Sequence, residues 1–457
     1  MRKLNKMILL IFPPFTEQKS EYLPLGIAQL AAVLEKNNQK VDVLDLGLYD
    51  IDEWKSHLSK KLDEVKPDII GISSLTTLYK NACDVARFVK EKSPNIKILF
   101  GGVHSTVQPD KILKEDFVDY VIRGEGEYSL LELVRGDDLD KIKGLSYKKE
   151  GKIFQNPNRE LIQDLDSLPF PARHLFDLKK YSWYPELSLI SSRGCPFPCY
   201  YCFSGTFGKK FRFRSAENIV QEIEQIIKNY GVKRFYFYDD LFTLNKERVI
   251  DFCNLIIKKN INIKWRCCSR IDTIDKERLD YMKKAGCEKI HYGIESGDPE
   301  LIKKIKGITL QQAKNAIKLT RKAGIESRCY FMIGHPWDTK KTIKNTISFS
   351  KKIDADLVQF AITTPFPSTE LWDIAKDMGV VNDKIVGSED FSLRGNKPIM
   401  RTETLSSEQL LKLYKKAERG YFRHKILISF MRPNQILKAI KRRGIIPVLK
   451  SLIQKIK

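Results

Sequence analysis

Short runs of consecutive apolar residues recur along the first 136 positions, each followed by a stretch with helical spacing. The runs at 7–12, 41–46, 68–73, 97–100 and 118–122 predict strands. Residues 24–37, 52–66, a segment ending at 89, and 127–134 predict helices. Strands that are apolar throughout are buried on both faces, so this alternation predicts a parallel, doubly wound sheet. A small hairpin is expected at 144–147 and 151–155, inside a turn-rich connection over 137–186. The strand–helix period then resumes, with strands at 187–191, 234–238, 263–268, 289–294, 326–333 and 357–361. Helices are expected between them at 216–230, 246–259, 274–285, 310–323 and 339–353. Six such units predict a partial parallel barrel, with its chemistry at one face of strand ends. Residues 376–457 read as helical and basic. The expected domains are therefore 1–136, 137–186, 187–375 and 376–457, all of one α/β class.

The length of 457 residues suits about three domains, and 42% hydrophobic residues are ample for buried cores. No apolar run approaches the roughly 18 residues of a membrane span. The stretch Met7–Phe12 ends in Pro13-Pro14 without a small-residue cleavage site. It reads as a buried strand, not a secretory signal, and a cytoplasmic setting is expected.

The net charge is +23, and residues 419–457 hold eleven Lys and Arg with no Asp or Glu. Such a segment suits an anionic membrane, a nucleic acid, an anionic substrate, or a solvated outer helix face. Apolar and basic residues alternate from 425 to 457, which fits a segment lying peripherally on the inner membrane face as well as a helix packed on the barrel. A lipid-like substrate follows from the first option; nucleic acid is not favoured.

The densest chemistry lies in Cys195-Pro196-Phe197-Pro198-Cys199-Tyr200-Tyr201-Cys202. Three cysteines spaced C-x3-C-x2-C can hold three irons of a cubane 4Fe–4S cluster and leave the fourth iron for a small chelating molecule, whereas electron-transfer clusters take four thiolates. Structural zinc would need a second close pair of ligands, and none follows at that spacing. Nine cysteines, an odd number, in a Lys-rich chain do not read as a disulfide framework. Cys83, Cys253, Cys267, Cys268, Cys287 and Cys329 are expected to be small core residues.

With this spacing the chain resembles the radical S-adenosylmethionine (SAM) enzymes, whose open iron chelates the amino and carboxylate groups of SAM. The resemblance implies a TIM-like (β/α)6 partial barrel and a 5′-deoxyadenosyl radical formed by one-electron cleavage of SAM. It extends to the other strand ends. Tyr201 matches an aromatic near the adenine. Asp239 and Asp240, in Tyr238-Asp239-Asp240, resemble the group near the amino end, and Arg270 would face the carboxylate. Glu295 and Ser296, in Gly293-Ile294-Glu295-Ser296-Gly297, resemble the ribose element. Gly334, in Met332-Ile333-Gly334-His335-Pro336, matches the adenine side.

The first block resembles the flavodoxin- or Rossmann-like cobalamin-binding domain that precedes the barrel in one subclass. Its strand ends supply Pro14, then Ser73, Ser74, Leu75 and Thr76, then Gly101, Gly102 and His104, then Gly124 and Glu125. Phe12-Pro13-Pro14-Phe15-Thr16 stands where many such domains carry a cobalt-ligating histidine. Cobalamin would then have no histidine from that motif beneath cobalt, which suits methyl transfer to a carbon radical. His104 is read as a hydrogen-bonded loop residue more readily than as a ligand. The implied function is methylation of an unactivated carbon in a small-molecule or lipid-like substrate, with a low-potential donor such as ferredoxin or flavodoxin. Oxidative cyclisation with the same cofactors, as in the anaerobic magnesium-protoporphyrin cyclase group, is the alternative. A non-catalytic cobalamin sensor would not need the open iron. Methylthiolation of tRNA is disfavoured, because the first block carries only Cys83.

Overall fold

The computed structural model describes residues 6–16, 18–203, 207–381, 385, 391 and 397–431. Residues 432–457, which hold most of the basic tail, lie outside them. The chain divides into two compact units. One comprises Met1–Ser269, Lys276–Ile290 and Pro365–Leu393; the other comprises Arg270–Asp275, His291–Thr364 and Arg394–Lys457.

The first unit opens with strands β1 (Ile8–Phe12), β2 (Val41–Asp45), β3 (Ile69–Ser73), β4 (Lys97–Gly101), β5 (Tyr120–Ile122), β6 (Leu145–Lys149) and β7 (Lys152–Gln155). Their order in the sheet is β2-β1-β3-β4-β5-β6-β7. The first five are parallel, and the β6–β7 hairpin adds antiparallel to β5. The hairpin expected inside a connecting segment is thus the edge of the first sheet. Its Tyr147 is buried in the sheet's core, where a polar hairpin in a linker would have no apolar face to cover.

Side chains alternate across β1, so Ile8 and Leu10 enter one core and Leu9 and Ile11 the other. Helices Leu25–Lys36 and Glu127–Arg135 cover the first face; Trp54–Val65 and Tyr79–Lys92 cover the second. Successive strands leave β1 in opposite directions, to β2 and to β3. That reversal opens a crevice at the strand carboxyl ends, where doubly wound sheets bind ligands.

The same unit continues with β8 (Glu186–Leu189), β9 (Ser192–Arg193), β10 (Arg212–Phe213), β11 (Arg234–Phe237) and β12 (Lys264–Ser269). β8, β11 and β12 are parallel neighbours. Phe237 and Trp265 pack from one face against Phe242 and Phe252, and Phe235 is buried on that face. β9 and β10 form a small antiparallel pair that brackets the Cys195–Cys202 loop. This pair was not foreseen, since two residues carry no period.

β13 (Cys287–Glu295) runs from the first unit into the second, which adds β14 (Glu326–Ile333) and β15 (Leu357–Ile362), paired in parallel. Helices Leu310–Lys322 and Lys340–Lys352 begin with Thr309 and Thr339 caps whose hydroxyls accept from the third helical N–H. Helix Ser407–Met431 lies in this unit. Among the described residues no helix is long and apolar enough to cross a membrane.

Candidate active site

The cluster-type loop is held at both ends. Gly194, just before Cys195, has φ +86, and a Cβ there would strike the carbonyl oxygens of Lys210, Gly208 and Phe207. Only glycine permits that approach. The Cys195 N–H donates to Gly208 O at 3.3 Å, and the Cys202 N–H to Cys199 O at 2.9 Å. Cys195 and Cys199 are half-buried and Cys202 is exposed. Cys83, Cys253, Cys267, Cys287 and Cys329 are buried, whereas Cys268 is half-buried, 3.2 Å from the Tyr236 hydroxyl. Burial pushes the Cys83 thiol up to about 12 and raises those of Cys253 and Cys267, which keeps them protonated.

Among the described residues no three His, Cys, Asp or Glu side chains converge as they would around a single metal ion. A cubane takes each thiolate on a different iron, so three cysteines spread over a short, accessible loop match its donor set. Tyr201 meets Tyr200 edge-on at 5.5 Å.

Asp239, at the end of β11, is buried and committed. Its Oδ1 accepts from the Ser191 N–H at 2.6 Å, and its Oδ2 from the Ser191 and Ser192 hydroxyls at 2.5 and 2.7 Å. Arg248 donates to the Ser191 hydroxyl at 2.7 Å. Asp239 therefore fastens the β8–β9 junction that leads into the cysteine loop. Its neighbour Asp240 is raised by desolvation and by the Asp239 charge, opposed by a hydrogen bond from the Gly194 backbone.

In the second unit, Glu295 stands at φ +72 at the end of β13, its Oε1 3.1 Å from Lys306 Nζ. Ser296 Oγ lies 3.3 Å from Thr346 Oγ1 and accepts from the Asp298 N–H. Arg270 forms a two-point fork with Asp272, at 2.9 and 2.8 Å. The Gly334 and His335 N–H groups both donate to Asp338, whose carboxyl burial pushes up to about 6.

At the carboxyl edge of the first sheet lies a cavity of about 250 Å³ with largely apolar walls. Ser73, Leu75, Gly101, Gly102, Gly124 and Glu125 line it. Gly102 has φ +96, and a Cβ there would lie 3.1 Å from Ser74 O. Ser74 Oγ is buried without a hydrogen-bond partner among the described residues, but Ser74 is not among the residues that line the cavity. The glycine pair, the Ser73 side chain and the apolar walls fit a large ligand that the backbone approaches closely. Pro14, Thr76 and His104 are not among the lining residues and are engaged in contacts within the fold. Pro14 O accepts from Asn81 at 2.7 Å, and His104 Nδ1 meets Thr76 Oγ1 at 3.3 Å with its ring 4.4 Å from Tyr79. Burial lowers His104 to about 4, so it is neutral at pH 7.

Arg193 and Phe207, on either side of the cysteine loop in sequence, also line the cavity. Arg193 donates to Glu125 at 2.8 Å and to Glu127 at 2.6 Å, and Arg212 donates to Glu125 at 3.0 Å. The Ile162 N–H completes the Glu125 shell at 2.7 Å. All four charged side chains are buried. Sequence reading had singled out Glu125 but neither arginine; their only local signal is two basic residues flanking the cysteine loop.

The Radical SAM superfamily profile matches residues 189–350, and the B12 binding domain profile matches residues 15–134. An uncharacterized methyltransferase of Pyrococcus horikoshii, PH0819, is 37% identical over 438 residues, covering 92% of this chain and 94% of its own. The chain belongs to the radical SAM enzymes of methyltransferase type that carry a B12-binding domain. The anaerobic magnesium-protoporphyrin IX monomethyl ester cyclase of Rubrivivax gelatinosus is 27% identical over 443 residues, covering 93% of this chain and 78% of its own. Among solved structures, the methyltransferase TsrM of Kitasatospora setae, with cobalamin and a [4Fe-4S] cluster bound, superposes at TM-score 0.71 and 20% identity, covering 82% of this chain and 76% of that one. A second TsrM structure contains tryptophan substrate and a SAM analogue. The shared fold is α/β, a parallel-rich sheet followed by a barrel-like parallel sheet.

Proposed function

We propose that this enzyme methylates an unactivated carbon of a small molecule, using SAM, a 4Fe–4S cluster and cobalamin. The observation that carries the reading is one cavity walled both by the ligand-binding edge of the first sheet and by Arg193 and Phe207, which flank the cysteine loop. When bound, the cluster and SAM supply a carbon-centred radical and cobalamin supplies the methyl group. The chain's own residues hold and orient. Cys195, Cys199 and Cys202 are assigned to three irons. Gly101, Gly102 and Gly124 let backbone approach the corrinoid, and Ser73, which lines the same cavity, offers it a hydroxyl. Tyr201 is assigned to the adenine, and Asp240 to the amino group. By motif alone, Glu295, paired with Lys306, is assigned to the ribose hydroxyls, Ser296 and Gly334 to the nucleoside and Arg270 to the carboxylate. Residues 1–136 and 187–375 serve as the corrinoid and radical domains, and a ferredoxin or flavodoxin supplies the electron.

The cyclase relative favours a second reading, oxidative ring formation with the same cofactors. Anaerobic incubation of the cobalamin-loaded, reconstituted protein with SAM, reductant and candidate small molecules separates the two. Methylated product accompanied by S-adenosylhomocysteine and 5′-deoxyadenosine supports methyl transfer. Substrate consumption with 5′-deoxyadenosine alone supports cyclisation. A fully loaded cluster that yields no 5′-deoxyadenosine removes both.

A further inference from the structure

The inner face of β8, β11 and β12 is not what a parallel barrel usually holds. Such interiors are filled by branched aliphatic side chains. Here Ser188, Tyr236 and Arg266 stand side by side in register on one face, opposite the face that carries Phe235, Phe237 and Trp265. Ser188 Oγ is buried without a hydrogen-bond partner among the described residues. Arg266, buried, and Glu186, half-buried, form an ion pair at 2.7 Å, and the Tyr22 hydroxyl donates to the same Glu186 oxygen at 2.7 Å.

Four rings surround that pair. The Arg266 guanidinium lies 4.1 Å from the Tyr236 ring centre and 5.0 Å from that of Trp183. Tyr22 stacks on Trp183 at 5.9 Å with planes 7° apart, and Tyr236 meets Tyr238 at 4.6 Å. The outer members keep their surfaces open: Trp183 is 44% exposed and Tyr238 53%. Fixed, solvent-facing rings around a buried cation form a surface for another π system, which gains stacking and cation–π attraction that a saturated ring lacks.

The location gives the surface a role. Tyr22 lies three positions before Leu25, which lines the cavity of the first sheet. Tyr238 directly precedes Asp239, which fastens the segment leading to Cys195. We propose that Trp183 and Tyr238 are the stacking wall of the substrate site and that the substrate presents a flat, aromatic or conjugated face to them. This rests on the radical SAM reading above, and it adds the substrate class.

The probes are naphthalene carboxylate and its fully saturated decalin counterpart, equal in charge and similar in size. Binding to the full-length, reconstituted protein is measured by titration calorimetry. The aromatic probe is expected to bind about fivefold tighter than the saturated one. Trp183→Leu and Tyr238→Leu, which keep apolar area but remove the π face, should erase that preference, while Trp183→Phe should retain it. Circular dichroism confirms that each variant is folded, and the exposed position of Tyr238 makes its variant the safer of the two. Equal binding of both probes, or a preference that survives both leucine variants, overturns the inference. Formation of 5′-deoxyadenosine by the unsubstituted protein is scored separately. If it occurs without probe preference, the wall alone is wrong; if the preference stands without it, the radical reading is wrong.

Discussion

Arg193 and Glu125 meet at 2.8 Å although 68 positions separate them. Arg193 sits two residues before the first cysteine of the C-x3-C-x2-C motif, and Glu125 follows the fifth strand of the first sheet. One buried guanidinium thus ties the metal loop to the ligand edge of the first sheet. A buried pair of this kind costs much to break, because the remaining charge keeps no partner in a medium that solvates it poorly.

Glu125→Gln should therefore destabilise the protein by about 3–5 kcal/mol, read from urea denaturation. Because Arg212 also loses its partner, corrinoid retention after gel filtration should fall too. Unchanged stability would mean that water or Glu127 replaces the lost charge.

Serine in place of any of Cys195, Cys199 and Cys202 should abolish the iron–sulfur absorption band after reconstitution and stop 5′-deoxyadenosine formation. Cys83→Ala should leave the iron content unchanged, since that thiol is buried and held protonated. Full iron content in a Cys199→Ser protein would contradict the assignment.

Gly102→Ala tests the corrinoid edge. The glycine occupies φ +96 and ψ −169, a region other residues avoid, so alanine should cost on the order of 1–3 kcal/mol. The added methyl would press on the Ser74 carbonyl at 3.1 Å. Corrinoid content after anaerobic purification should drop sharply while iron content holds.

His104 predicts an acid sensitivity. Its folded value of about 4 lies below the ordinary 6.5, so the unfolded chain binds the proton first as pH falls. Its contribution to stability is complete above pH 6.5 and is lost progressively down to about pH 4, a change of about 3 kcal/mol. Between those limits His104→Gln should lose less stability than the unsubstituted protein in denaturant titrations at fixed pH. Parallel curves would show that the ring is protonated in the fold.

Strands such as β1 and β3 were legible because they are almost wholly apolar, and burial on both faces of a sheet demands that composition; β12 and β14 mix polar residues in and were legible from their spacing between helices. The cysteine spacing was legible for a different reason: adjacent loop residues must reach one cluster, so the chemistry is written locally. Asp239 shows where local reading stops. Its position at a strand end suggested a ligand contact, yet in the fold its carboxylate accepts from Ser191 and Ser192. No pattern around residue 239 announces hydroxyls on a neighbouring strand.

By itself, then, the sequence determined the α/β class and the family motif C-x3-C-x2-C, since period and spacing are properties of neighbouring residues. Only the tertiary structure decided that Glu125 belongs to Arg193 and Arg212, that the β6–β7 hairpin completes the first sheet, and that the Tyr22 ring meets both Trp183 and Tyr238. Those pairings depend on which strand ends converge, and the buried charges and rings find partners only once the sheets have brought distant segments together.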